Sequence, residues 1–154
     1  MKRLILLSFV QLFISLRVSC KAEIPFSRLN MNENTNPISG NILKIKIGER
    51  IFNATLLDNP TAIVFKALLP LTVNMNELNN NEKYAQLSQN IPTNASVPAS
   101  IQAGDLMMYG SSTLVLFYKG FSTSYSYTKI GKIDDITGLK AALGTGDISI
   151  TFEL

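Results

Sequence analysis

The chain of 154 residues contains no histidine and a single cysteine, Cys20. Those absences exclude serine–histidine and cysteine–histidine nucleophilic catalysis, and zinc held by histidine or cysteine. Without a second cysteine there is no intrachain disulfide, so a folded domain must be stable through its core alone. No metal and no organic cofactor is expected. An excess of charge of either sign is also missing once the first 22 residues are set aside. That segment holds Lys2, Arg3, Arg17 and Lys21, four of the fourteen basic residues and none of the eleven acidic ones, so the remainder stands at minus one. A near-neutral domain carries no electrostatic footprint for nucleic acid or an anionic membrane surface, and both are excluded as partners of the domain.

What is present begins with an apolar leader. Lys2 and Arg3 precede a mostly apolar run from Leu4 to Leu16, too short to span a bilayer comfortably and right for the hydrophobic region of a signal peptide. Residues 1–22 are read as that peptide, with cleavage near Ser19 or Ala22. The expected location is outside the cytoplasm, in the periplasm or cell envelope. Cys20 is a candidate for lipidation, although Arg17 stands where a lipobox carries an aliphatic residue. Membrane contact is expected only through the leader or a lipid on Cys20. From Glu23 to residue 41 the chain is polar and rich in asparagine, with Pro25 and Pro37, and reads as a flexible linker.

The domain is expected over residues 42–154. Ile42–Ile47 and Arg50–Leu57 flank Gly48-Glu49 and predict an antiparallel hairpin. Asp58-Asn59-Pro60-Thr61 supplies a capping side chain and a proline where no donor is needed, predicting a helix to about Leu69 with Ala62, Phe65, Leu68 and Leu69 on one face. Leu71–Leu78 alternates as a strand, and Asn79–Glu82 reads as a loop. Gln89–Ser100, with Pro92 and Pro98, reads as a long surface loop. Strands are expected at Leu106–Tyr109 and Thr113–Lys119. Asp134-Asp135 is read as the cap of a second helix carrying Ile136, Leu139 and Leu143, and Gly144-Thr145-Gly146 as a tight helix-to-strand turn. Asp147–Leu154 alternates without a break, its apolar set Ile148, Ile150, Phe152 and Leu154 facing inward from a closed sheet.

This order predicts a mainly β fold: a closed barrel of about eight strands capped by two short helices. Residues 42–154 resemble a small bacterial branch of the cyclophilin-like barrels. The resemblance is carried by Leu68-Leu69-Pro70 at the helix end, the turn Ile101-Gln102-Ala103-Gly104-Asp105, the buried Leu114–Tyr118, and Tyr127-Thr128-Lys129-Ile130-Gly131-Lys132-Ile133. Cyclophilins that isomerise prolyl bonds use an arginine from a Phe-His-Arg strand to weaken conjugation of the amide. This chain has no arginine beyond Arg50, and the strand after the first helix is Leu71–Leu78 instead. The resemblance therefore implies the fold and withholds the catalytic group.

Six residues are candidates for binding a ligand. Glu77 is in phase with Met75, so an inward carboxylate in apolar surroundings would have a raised pKa. Tyr84, Tyr125 and Tyr127 offer flat apolar faces with a hydroxyl, whereas Tyr109 and Tyr118 read as barrel packing. Met75 and Phe117 would together line a proline-shaped pocket if the domain were an isomerase with a non-arginine site. Three functions follow: a non-catalytic module binding a small molecule or extended peptide, such an isomerase, or an adapter docking an envelope protein.

Overall fold

The computed structural model describes residues 40–154. The leader, Cys20 and the asparagine-rich stretch to residue 39 lie outside the described residues. The strands are β1 (Ile42–Ile47), β2 (Arg50–Leu56), β3 (Leu71–Leu78), β4 (Glu82–Gln86), β5 (Asp105–Tyr109), β6 (Thr113–Phe117), β7 (Thr128–Ile133) and β8 (Ile148–Glu153). The helices are α1 (Pro60–Ala67) and α2 (Leu139–Leu143). All strand pairings are antiparallel, and the strands close in the order β1-β2-β7-β5-β6-β4-β3-β8. The expected mainly β fold, a closed eight-stranded barrel with two short helices, is the fold observed.

Period-two alternation builds the interior. Leu43, Ile45 and Ile47 of β1, Ala54 and Leu56 of β2, Met75 of β3, Leu106 and Met108 of β5, Leu114 and Leu116 of β6 and Ile150 and Phe152 of β8 join one buried cluster. In β7 the alternation breaks, because Ile130 and Ile133 both face inward. A bulge causes this: Leu106 pairs with Gly131 but Met107 pairs with Lys129, leaving Ile130 as the extra residue. Gly131 then passes so close to β2 that a Cβ there would lie 2.6 Å from the Thr55 carbonyl oxygen, which is why glycine occupies the position.

Helix α1 starts as its sequence dictates. The Asn59 side chain accepts from the Ala62 N–H at 2.8 Å, and Pro60 fills the first turn. Asn59 Nδ2 also donates to the Lys129 carbonyl at 2.9 Å, tying the helix start to β7. Asn59→Ala is expected to lower stability by about 1–2 kcal/mol, the range for a lost cap, in a urea titration. The helix ends two residues earlier than expected, with Leu68 as its C-cap, while Leu68 and Leu69 still pack on the core.

Besides Leu154, which lies beyond the end of β8 and is exposed instead of facing inward, two local expectations are corrected. Asp134 and Asp135 do not cap α2, whose N-cap is Gly138 at φ 79° with no side-chain capping bond. Asp134 instead accepts from the Thr55 hydroxyl at 2.8 Å and Asp135 from the Thr137 N–H at 2.8 Å, so both stabilise the turn before the helix. Ile136 lies in that turn and is exposed. The second correction is β4: Glu82 is the first residue of a strand that pairs with both β3 and β6, not the end of a loop.

Candidate functional site

The sheet has a second apolar layer on its outside. Ile101, Met107, Val115, Phe117 and Tyr127 form a buried cluster separate from the barrel interior, with Tyr84 and Phe121 packed against it. Alternation explains the separation, since on β5 and β6 the residues between the inward Leu106, Met108, Leu114 and Leu116 must face out. Both faces of these strands are apolar because the segments between β4 and β5 and between β6 and β7 fold back over the outer one. Two bridges pin those segments together: Ser96 and Tyr127 exchange backbone bonds of 3.0 Å each, and Ile101 and Phe121 exchange bonds of 2.9 and 3.2 Å. The turn from Ile101 to Asp105 is held by the Asp105 carboxylate, which accepts from the Gln102 N–H at 2.8 Å.

Between the β3–β4 turn, the outer face of β4 and β6, and the loop from Phe121 to Tyr127 lies a groove of about 640 Å³. An unbroken chain of aromatic contacts runs along it and beneath it. Tyr125 meets Tyr109 edge-on at 6.1 Å, Tyr109 meets Tyr127 at 5.5 Å, Tyr127 meets Phe117 edge-on at 5.4 Å, and Phe117 meets Phe121 at 5.7 Å. Tyr84 adds a ring from β4. Burial, followed by the nearby charge of Glu82, pushes the Tyr127 hydroxyl up to about 12, so it remains a neutral donor across the ordinary pH range. Glu82 itself lines the groove and is only 8% exposed; burial first, and the charge of Glu77 second, raise its pKa.

The opposite face of the β3–β4 hairpin carries a buried ion pair. Glu77 and Lys83 are direct cross-strand partners and both point inward, in phase with Met75 and Ala85. Lys83 is fully buried; its Nζ lies 2.5 Å from Glu77 Oε2 and donates to the carbonyls of Gly146 at 2.6 Å and Gly144 at 3.3 Å. Glu77 Oε1 accepts from the Tyr118 hydroxyl at 2.8 Å and the Asn80 N–H at 2.9 Å. Burial alone would raise the Glu77 pKa, but the hydrogen bonds from Lys83 and Tyr118 and the lysine charge outweigh it, and the carboxyl sits below its ordinary value of 4.5. This corrects the expected raised pKa, because the carboxylate faces inward but has a buried cation beside it. Burial first, and then its hydrogen bond to that anion, push the Tyr118 hydroxyl up to about 12.

The six candidate residues therefore divide between two faces. Met75 is fully buried in the barrel interior and Glu77 closes one end of it. Tyr84, Tyr125 and Tyr127 line the outer groove, and Phe117 is the buried ring beneath them. Met75 and Phe117 lie on opposite faces of the sheet, so they do not together line one pocket. Tyr109, expected as packing, is 46% exposed in the groove, while Tyr118 does pack inward. Glu82 and Phe121 were not singled out in the sequence. The one signal for Glu82 was its spacing from Tyr84 and Gln86, which places all three on one face once residues 82–86 are known to be a strand.

The family model described as the cyclophilin-like family matches residues 45–153, from β1 to the last residue of β8. The chain belongs to the cyclophilin-like family. The solution structure of a hypothetical protein from Archaeoglobus fulgidus is similar to it, with a TM-score of 0.50 and 18% sequence identity over 73% of this chain and 92% of that one. At that identity the likeness concerns the fold. No curated protein matches the sequence. Within this cyclophilin-like barrel, β3 is the strand that follows the first helix; it carries Asn74 and Asn76 out of phase with the inward Met75, and no arginine.

Proposed function

We propose that the protein is an exported cyclophilin-like domain that binds a small molecule or an extended peptide in its outer groove, without covalent chemistry. The observation that carries the reading is the chain of aromatic contacts from Tyr125 to Phe121, joined through the buried Phe117 beneath, along a groove of about 640 Å³ that holds one nearly buried glutamate. Concave sites in which aromatic side chains supply contact area and placed polar groups supply specificity are a usual form of ligand pocket, and here asparagine, glutamine, serine and threonine side chains stand beside the tyrosines. Export rests on the leader of residues 1–22. Because the strands close on themselves, no edge strand remains among the described residues for a peptide to extend, and the reading therefore places recognition on side chains in the groove.

The test is NMR exchange spectroscopy of proline-containing peptides with the protein. The expected result is localised shifts at Tyr84, Tyr109, Tyr125 and Tyr127 with no change in the cis–trans exchange rate, which is otherwise tens of seconds or slower. Acceleration of that exchange would overturn the non-catalytic reading. A screen of peptides and small amphiphiles that moves no groove signal would overturn the binding reading.

A further inference from the structure

Glu82 is a carboxylate without a counter-ion. It lies on the outer face of β4 between its ladder partners Leu78 and Phe117, is 8% exposed, and lines the groove. Among the described residues its side chain makes no hydrogen bond and no ion pair. The adjacent cation, Lys83, points to the other face of the sheet and is committed to Glu77 and two carbonyls. No lysine or arginine lines the groove among the described residues, so Glu82 is its one charge. A second acceptor is also left over: Asn81 lines the same groove, and its buried Oδ1 has no hydrogen-bond partner.

Of these two acceptors Asn81 Oδ1 is closed off from water, while the Glu82 carboxylate keeps a narrow contact with the groove; a charge so nearly buried among apolar side chains is poorly solvated, and an acceptor without a donor is costly. Something that brings donors and positive charge would remove both penalties. The surrounding walls suit the same visitor, because tyrosine rings present negative faces that attract a cation most strongly where water is excluded. Tyr84, Tyr109, Tyr125 and Tyr127 line the same groove as this carboxylate. A neutral apolar ligand would satisfy the rings and leave Glu82 stranded; an anion would be repelled.

We propose that the groove takes a primary ammonium or guanidinium group carried on an apolar stem, the cation seated against Glu82 and Asn81 and the stem lying across the tyrosine rings. This rests on the reading of the groove as a binding site and adds the chemistry of its ligand. The group can belong to a free amine or to a lysine or arginine side chain of a peptide.

The experiment is an NMR titration of the full chain with four probes: n-pentylammonium chloride, 1-pentanol, and the capped tripeptides Ala-Lys-Ala and Ala-norleucine-Ala. Each charged probe should bind roughly ten-fold or more tightly than its neutral counterpart, with shifts at the four tyrosines. Glu82→Gln should abolish that advantage with a melting temperature unchanged or raised, since a poorly solvated charge without a counter-ion is removed. Tyr125→Leu, at a position 62% exposed, should weaken the charged probes by a few-fold. A stronger response to the lysine peptide assigns the site to peptides, and a stronger response to pentylammonium assigns it to free amines; both support the cation. Equal binding of charged and neutral probes, or full affinity in Glu82→Gln, overturns the cation while leaving the groove as a site. No groove shift with any of the four overturns the binding reading as well.

Discussion

Lys83→Met should destabilise the protein by about 3–5 kcal/mol, the usual consequence of removing one partner of a buried ion pair. Lys83 is fully buried, with its Nζ 2.5 Å from Glu77 Oε2, 2.6 Å from the Gly146 carbonyl and 5.7 Å from the centre of the Tyr118 ring. Methionine fills the stem but leaves an uncompensated carboxylate and two carbonyls without their donor. Those carbonyls belong to the turn between α2 and β8, so the loss spreads from the β3–β4 hairpin to the end of the barrel. Most of the loss should return in the double variant Lys83→Met with Glu77→Leu, because the stranded charge goes too. Recovery stays incomplete, since the Tyr118 hydroxyl and the Asn80 N–H then lose their acceptor. Urea denaturation at neutral pH measures each corner of the cycle, and a loss under about 1 kcal/mol in Lys83→Met would refute the pairing.

The same pair sets part of the acid response. The folded pKa of Glu77 is held below the ordinary 4.5, so its contribution to stability is present above about pH 4.5 and is lost as pH falls through the folded value. Glu82 acts in the opposite sense. Its pKa is raised in the fold, so its contribution is present below about 4.5 and lost as pH rises through the folded value. Two neighbouring glutamates on opposite faces of one hairpin thus have opposite linkage: Glu77 supports the barrel at neutral pH, whereas Glu82 weakens it there in exchange for a charged groove.

The difference between those glutamates is also where sequence reading stopped. The β8 strand was legible because Ile148, Ile150 and Phe152 alternate with polar residues, as burial on one face requires. The start of α1 was legible because Asn59 and Pro60 act locally, within one turn. Strand β4 was not, because Glu82 and Lys83 are weak strand formers whose burial depends on partners distant in the chain: Phe117 and Leu116 beside them, and the Gly144 and Gly146 carbonyls capping Lys83. Periodicity also placed Met75 and Glu77 on one face correctly, but the face of Phe117 relative to theirs depends on the route of pairing through β4. Capping signals were overvalued at Asp134-Asp135 because the same side chains serve turns as readily as helix ends.

Phe152→Ala should cost about 3–5 kcal/mol, comparable to the loss of Lys83 but by a different mechanism. Phe152 is fully buried on β8, the strand that joins β1 to β3; its ladder neighbours are Ile45 and Leu71. Its ring meets Phe65 of α1 edge-on at 5.8 Å and 80°, so it anchors the helix as well as filling the barrel. Truncation removes the transfer energy of the ring and leaves a cavity between helix and sheet that neither rigid element can close. Phe65→Ala should cost a similar amount, and the double variant less than the sum, because both truncations open the same cavity. Phe152→Leu, which keeps much of the volume, should lose only about 1–1.5 kcal/mol. The outer groove lies across β4 and β6, not β8, so Phe152→Ala should bind groove ligands with unchanged affinity wherever it remains folded, whereas Glu82→Gln should show the reverse pattern, stable but unable to prefer a cation. A fall in groove affinity in folded Phe152→Ala would mean that the barrel interior and its outer face are mechanically coupled.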